Sequence, residues 1–362
     1  MGGRKFIISG YYGFSNAGDE AMLSAMIHSI KEADPAASIT VISGHPEATA
    51  RTFGTPAIHR FSPFALLRGI LRSDIVISGG GSLLQDVTSR RSIYYYLSIM
   101  AAGILFRKKV FLYAQGIGPV RSLKTRRILK IVLDHVTAIT VRDEFSHDFL
   151  KGLGVKTPVS VTADAVLSLP VVSKEKGREI LRRAGVPEDR KIIALCVRKW
   201  GDSDALAASF RKYVEALSGT GMYSIVFIPM QCPDDVCMAA KIDSPELKNT
   251  YILRESYDIP TLMSIVGAAD LLVGMRLHAL IFSALMHIPM IGISYDPKID
   301  HFLHSIERDS LFSIYEFQCE KLYNTSIRLL QGIQDPPVWK KVDEMREKSR
   351  KTISVLKTLM DR

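Results

Sequence analysis

Arg276 and His278 stand two positions apart in an otherwise apolar run, VGMRLHALIF, residues 273 to 282. Ionisable groups among buried apolar neighbours must find partners or change protonation state. The preceding DLLVGM reads as a strand ending near Met275, so Arg276, Leu277 and His278 open a helix whose core positions continue as Ile281, Phe282 and Leu285. Free N–H groups at a helix N-terminus attract anions. The expected partner is therefore a bound anion, held by Arg276 and those N–H groups, while His278 gives or takes a proton near neutral pH. A lone histidine is more often structural; the arginine beside it at this position favours chemistry.

Other cations fall at comparable places. Arg142 closes the strand AITVR, and Arg198 follows KIIALCV. An arginine at a strand's carboxyl end offers a bidentate fork to a carboxylate or phosphate in the ligand crevice. The alternative is a rim salt bridge, Arg142 with Asp143 or Glu144. Lys298, in PMIGISYDPKIDHF, lies beyond another strand, with Asp296 and Asp300 as its ordinary partners.

Three glycine-rich turns follow strands in the first half: SGYYGFSNAGDEAML, SGGGSLLQD at 78 to 86, and AQGIGPV at 114 to 120. None carries the Gly-Lys-Ser/Thr of a Walker loop. In the first, Asp19 and Glu20 occupy the helix's positive end, which disfavours a phosphate; hydroxyl recognition and plain helix capping by Asp19 both remain open. Tyr12, Phe14, Asn16 and Asp19 are its candidate sugar-binding residues. In the second, Gly80 and Gly81 suggest close approach of backbone to a ligand, with a simple turn as the alternative.

The elements that must position these residues alternate. Strand patterns occur at 5–9, 38–43, 74–78, 109–114, 138–142 and 159–163, with helical patterns between; the clearest places Leu23, Met26, Ile27 and Ile30 on one face. After a charged stretch the pattern restarts with KIIALCV, YSIVFIPM, TYILRE, DLLVGM and PMIGISY. The expected fold is α/β, with two doubly wound domains facing a cleft and ligands beyond the carboxyl ends of the strands. The expected organisation is a Rossmann-like domain at 1–171, a hinge at 172–190, a second domain at 191–335 and a helix at 336–362 that packs back across the domains.

A chain of 362 residues, 47% hydrophobic and 23% charged, suits two globular domains. Four cysteines without a CxxC pair suit a reducing cytoplasm, with neither disulfide nor zinc. The apolar start is too short for a signal sequence. Leu271 to Tyr295 has spanning length but contains Arg276, which alone costs roughly 2.5 kcal/mol or more at a bilayer centre. The net charge of +10 suits anionic ligands or an anionic membrane surface, and no nucleic-acid motif accompanies it.

ISGYYGFSNAGDEAML, SGGGSLLQDVTS with Tyr94 to Tyr96, AQGIGP, TVRDEFS and GMRLHALIF together resemble the polysaccharide pyruvyl transferase family, most closely its CsaB-type members. The resemblance implies a GT-B-like fold, with the acceptor on the N-terminal domain and the donor on the C-terminal one. It implies phosphoenolpyruvate as co-substrate with no cofactor, and a lipid-diphosphate-linked disaccharide ending in β-N-acetylmannosamine as acceptor. The product is a 4,6-pyruvate ketal in bacterial cell-wall polymer synthesis. Carried over, the RLH motif falls on Arg276, Leu277 and His278, and the strand-end arginine on Arg142; Lys298 is a weaker match. Gly80, Gly81 and Arg198 complete the expected donor set. A nucleotide-sugar glycosyltransferase and a non-catalytic glycolipid-binding protein are the competing readings. No carboxylate cluster calls for a metal, although a loosely held Mg²⁺ on the donor phosphate stays open.

Overall fold

KFIIS and its counterparts are apolar at consecutive positions, so a strand made from them is covered on both faces, the condition of a parallel sheet with helices on each side. The computed structural model describes residues 3–87, 90–308, 312–332 and 337–361, and every count and absence below refers to these. Thr88 and Ser89 of the SGGGSLLQDVTS motif, and residues 335 and 336, where the expected second domain ends and the last helix begins, lie outside them.

The chain divides into two compact units, residues 1–14, 19–169 and 344–362 in one, and 15–18 with 170–343 in the other. The first holds β1 (Lys5–Ser9), β2 (Ser38–Ser43), β3 (Ala57–His59), β4 (Ile75–Gly79), β5 (Lys109–Gln115), β6 (Ala138–Val141) and β7 (Val159–Val161). They form one parallel sheet in the order β3-β2-β1-β4-β5-β6-β7. Its helices are α1 (Ala17–Ala33), α2 (Pro46–Phe53), α3 (Pro63–Arg72), α4 (Arg90–Leu105), α5 (Leu123–Leu133) and α6 (Glu144–Gly152). Ile7 and Ile8, on opposite faces of β1, are both fully buried, each worth about 1.5–3 kcal/mol.

In the second unit, α7 (Glu175–Arg183) precedes β8 (Lys191–Cys196), α8 (Ser203–Ser218), β9 (Tyr223–Phe227), α9 (Asp234–Ile242), β10 (Thr250–Ile252), α10 (Ile259–Gly267), β11 (Leu271–Gly274), α11 (Leu277–Leu285), β12 (Met290–Ser294), α12 (Pro297–Ser305), β13 (Phe312–Ser313) and α13 (Cys319–Leu330). Its sheet is also parallel, β10-β9-β8-β11-β12-β13. Both orders reverse direction at a switch point, between β1 and β4 in one sheet and between β8 and β11 in the other. Ligands of such sheets sit beyond the strand ends there.

Two details differ from expectation. β3 and β13 are short edge strands whose sequences carry too little pattern to be read. The charged stretch 172–190 is no open linker: it contains α7, which buries Gly177 and Leu181, lies against α10, and donates the Gly177 N–H to Ser264 Oγ at 2.7 Å. Its charges occupy the exposed face only. The last helix, α14 (Pro337–Asp361), buries the stripe its sequence carries, Val342, Ser349, Ile353, Leu356 and Leu359, together with Thr352. Its C-terminal half is tied to the first unit by Arg4 on the Met360 carbonyl at 2.6 Å and Lys109 on the Leu359 carbonyl at 3.0 Å.

Candidate functional site

β11 ends at Gly274 and α11 begins at Leu277, which makes Arg276 the N-cap residue, with extended backbone. Its side chain is nearly buried, and the group opposite it belongs to the chain: Arg276 Nε donates to Asp235 Oδ2 at 3.1 Å, and Nη2 donates to Oδ1. Asp235 Oδ2 also accepts the Met230 and Gln231 N–H groups, each at 3.0 Å. Burial pushes the Asp235 carboxyl above its ordinary value, while the guanidinium and the two N–H groups pull it back. The expectation of a bound anion as the partner is thus replaced by a carboxylate from the first turn of α9. Two of the five guanidinium donors are given to it.

His278 is the second residue of α11 and half-buried. Its ring lies on Gly18: a Cβ at that position would fall 2.1 Å from His278 Nδ1. Residues 15–18 are anchored in this unit by Ala17 N–H on the Met230 carbonyl at 2.8 Å and by the Asn16–Gln231 bridge. Asn16 Oδ1 accepts the Gly18 N–H at 3.0 Å, so Asn16, rather than Asp19, caps α1. Leu277 is buried; its side chain packs in the core, and only its N–H belongs to the helix end.

Arg198 and Lys298 follow β8 and β12, the two strands that flank β11, and share one ring. Arg198 Nη1 donates to Tyr295 Oη at 2.5 Å, with its guanidinium carbon 4.8 Å from the Tyr295 centroid and 5.3 Å from that of Trp200. Lys298 Nζ is 5.5 Å from the Tyr295 centroid and 3.3 Å from Asp296 Oδ2, a surface pair of small energetic weight.

In the first unit Arg142 follows β6. Its Nη1 donates to Asp164 Oδ2 at 3.2 Å, its Nη2 to Ser82 Oγ at 3.0 Å, and Nε lies 3.5 Å from Asp143. The guanidinium occupies the space over Gly116, where a Cβ would stand 2.9 Å from Nε; this explains the first glycine of AQGIGP. Gly80 and Gly81 take φ of 76° and 69°. The close approach expected there is made by the chain itself: Met26 crowds Gly79, Met22 and the Tyr12 hydroxyl crowd Gly80, and Asp19 crowds Gly81.

Tyr12 does not face a sugar. It is fully buried and its hydroxyl donates to the Gly79 carbonyl at 2.8 Å. Phe14 remains half-exposed, stacked on Tyr11 with centroids 4.3 Å apart.

Three residues escaped the sequence reading. Asp235 lies 41 positions from Arg276, and only the acidic start of PDDV hinted at it. Arg60 is held over Phe14, Phe61 and Tyr95 at 5.4, 5.0 and 4.7 Å; no spacing rule brings those segments together. Gln115 ends β5 after Ala114, which adopts φ 44° at a register shift. Its side-chain oxygen and nitrogen are buried without a hydrogen-bond partner among the described residues.

A model of the polysaccharide pyruvyl transferase family matches residues 16–297. The chain belongs to that family. The matched span of this pyruvyl transferase, a transferase enzyme, takes in Asp19, Gly80, Gly81, Arg142, Arg198, Asp235, Arg276 and His278, and ends one residue before Lys298. Among solved structures it is similar to Staphylococcus aureus MnaA in a co-structure with UDP, at 11% identity, TM-score 0.67, covering 99% of this chain and 97% of that one. The UDP-GlcNAc 2-epimerase of Neisseria meningitidis bound to UDP-GlcNAc matches at 10% identity and TM-score 0.62, over 99% of this chain and 100% of that one. Anabaena Alr3699/HepE in complex with UDP-glucose matches at 12% identity and TM-score 0.63, over 99% and 98% of the two chains. At these identities the likeness is one of fold: the pyruvyl transferase is α/β and GT-B-like, with two parallel sheets.

Proposed function

We propose that this chain transfers the pyruvyl group of phosphoenolpyruvate to two hydroxyls of one sugar, the β-N-acetylmannosamine of a lipid-diphosphate-linked disaccharide, giving a 4,6-ketal and phosphate. The observation that carries the reading is the family match, whose span contains a histidine on the first turn of α11 beside a carboxylate-clamped arginine. Phosphoenolpyruvate bears a carboxylate and a phosphate, and Arg142, Arg198 and Lys298 are cations at strand ends suited to such groups. In this reading Arg276, fixed by Asp235, presents its remaining donors to the same substrate, together with the N–H groups that open α11.

The reaction balances as follows. The methylene carbon gains a proton from His278, one sugar hydroxyl adds to the neighbouring carbon and returns its proton to the imidazole. The C–O bond to phosphate then breaks, the second hydroxyl closes the ring, and its proton leaves with phosphate. Phe14 and Asp19, with Tyr11 and the stacked Arg60, are the groups we assign to the acceptor. The place of action is the cytoplasmic face of the cell membrane. No helix among the described residues is long and apolar enough to cross it.

Phosphate release from phosphoenolpyruvate, with and without a synthetic diphosphate-linked disaccharide ending in β-N-acetylmannosamine, tests the reading. Acceptor-dependent release with a pyruvyl mass gain on the sugar is the expected result. Absence of release together with tight binding of a nucleotide sugar would favour glycosyl transfer instead.

A further inference from the structure

Residues 60–72, RFSPFALLRGILR, contain no acidic residue. Within them α3 turns Ile70 and Leu66 onto the core of the first unit. Its opposite stripe carries Phe64, Leu67 and Leu71 at i, i+3 and i+7, exposed by 88%, 42% and 47%. Arg68 and Arg72 are exposed beside them, and Phe61, 70% exposed, extends the stripe to Arg60. α3 lies beside α4, whose last residue, Leu105, is 74% exposed and is followed by Arg107 and Lys108. Lys108 Nζ donates to the Leu71 carbonyl at 2.7 Å, which ties the two helix ends together. Residues 90–110 likewise contain no acidic residue.

We infer that this face docks on the surface of a bilayer containing anionic lipid. Contiguous apolar side chains flanked by arginines and a lysine, with the nearby Asp74 carboxylate turned onto the Lys5 N–H at 2.8 Å, call for a partner that is apolar inside and negative at its surface, which is the bilayer boundary: apolar side chains enter below the headgroups and arginines stay level with the phosphates. A second copy of the chain fits poorly, because a twofold interface here would set Arg68, Arg72 and Arg107 against their own equivalents. The surface is independent of the reaction proposed above; a lipid-linked acceptor gives it a purpose, since Phe61 and Arg60 join it to the aromatic residues assigned to that acceptor.

The test is sedimentation of the full-length protein with vesicles of phosphatidylcholine alone or with about one third phosphatidylglycerol. The wild type is expected to sediment with the anionic vesicles. The F64S/L71S variant should lose at least about tenfold in partitioning, and R68Q/R72Q should lose both affinity and its dependence on salt. F64S/L71S should keep the wild-type melting temperature and full phosphate release with a water-soluble acceptor. Wild-type protein that stays in solution with both vesicle types, or F64S/L71S that sediments as the wild type does, overturns the inference. So does a wild-type dimer that F64S/L71S dissociates, which would assign the face to a second copy. Failure of phosphate release in every protein would instead count against the proposed reaction and leave the vesicle result standing.

Discussion

The carboxylate of Asp235 grips the guanidinium of Arg276 through Nε and Nη2 while accepting two backbone N–H groups from the turn before its own helix. Both side chains are nearly removed from water. A buried pair of this kind fixes direction: the guanidinium plane is held from below, so its remaining donors have one orientation.

Removing the carboxylate leaves a buried charge unopposed, at a cost of about 3–5 kcal/mol. Asp235→Ala should therefore melt on the order of 10 °C below the wild type. Asp235→Asn, which keeps one acceptor, should melt in between but lose at least about tenfold in kcat/KM for phosphoenolpyruvate, because it no longer fixes the plane. Thermal melts alongside phosphate-release kinetics check both; an Asp235→Ala protein as stable as the wild type would show the pair to be dispensable.

Gly18→Ala places a methyl 2.1 Å from His278 Nδ1 and must displace the ring. We expect kcat to fall on the order of a hundredfold, the scale of a misplaced acid or base. Folding should change little, as His278 is half-exposed and able to swing. His278→Gln should match the loss, and the double variant should add nothing to it; independent, additive losses would separate the two residues.

Glu20 gives a pH signature. It sits in the first turn of α1, accepts the Gly13 N–H at 2.7 Å, and burial raises its pKa from the ordinary 4.5. The folded protein then holds the proton more tightly than the unfolded chain, so this residue's contribution to stability is greatest below the unfolded value and falls as pH rises through the folded one. Glu20→Gln lacks that decline. Denaturant melts should find the variant and wild type equal near pH 4, and the variant more stable at neutral pH; a wild type that gains on the variant as pH rises would reverse the assignment.

The Gln115 amide is the buried polar group with the least visible reason to be there, and an unpaired amide of this kind costs about 1–3 kcal/mol. Gln115→Met, similar in length, should raise the melting temperature by a few degrees, roughly 2–4 °C per kcal/mol gained. If the amide serves substrate or an ordered water in the site, kcat/KM falls in the same protein. Unchanged kinetics would mark Gln115 as structural.

Continuous apolar runs made much of this architecture legible: KFIIS and SITVIS coincide with β1 and β2, and DLLVGM followed by RLH marked a strand feeding a helix start. Local pattern carries such elements because covering both faces of a parallel strand demands it. Long-range pairing is different. Nothing near Arg276 names Asp235, and nothing near Gly79 says that Tyr12 will turn inward to meet it, which is why an aromatic residue read as a sugar contact became part of the core. The stretch 172–190 misled for a related reason, since its charges lie on one face of α7 while Gly177 and Leu181 do the packing.

The glycines after β4 have a consequence for how this sequence can vary. Met26 Sδ and Cε fill the space a side chain at 79 would need, so an alanine there requires the Met26 end to move or position 26 to shrink. At 80 and 81 no such exchange helps, because the left-handed backbone itself strains any residue with a side chain. Position 79 and Met26, in the third turn of α1, are therefore coupled in how they can vary, while a side chain at either of the two glycines that follow meets backbone strain whatever becomes of their neighbours.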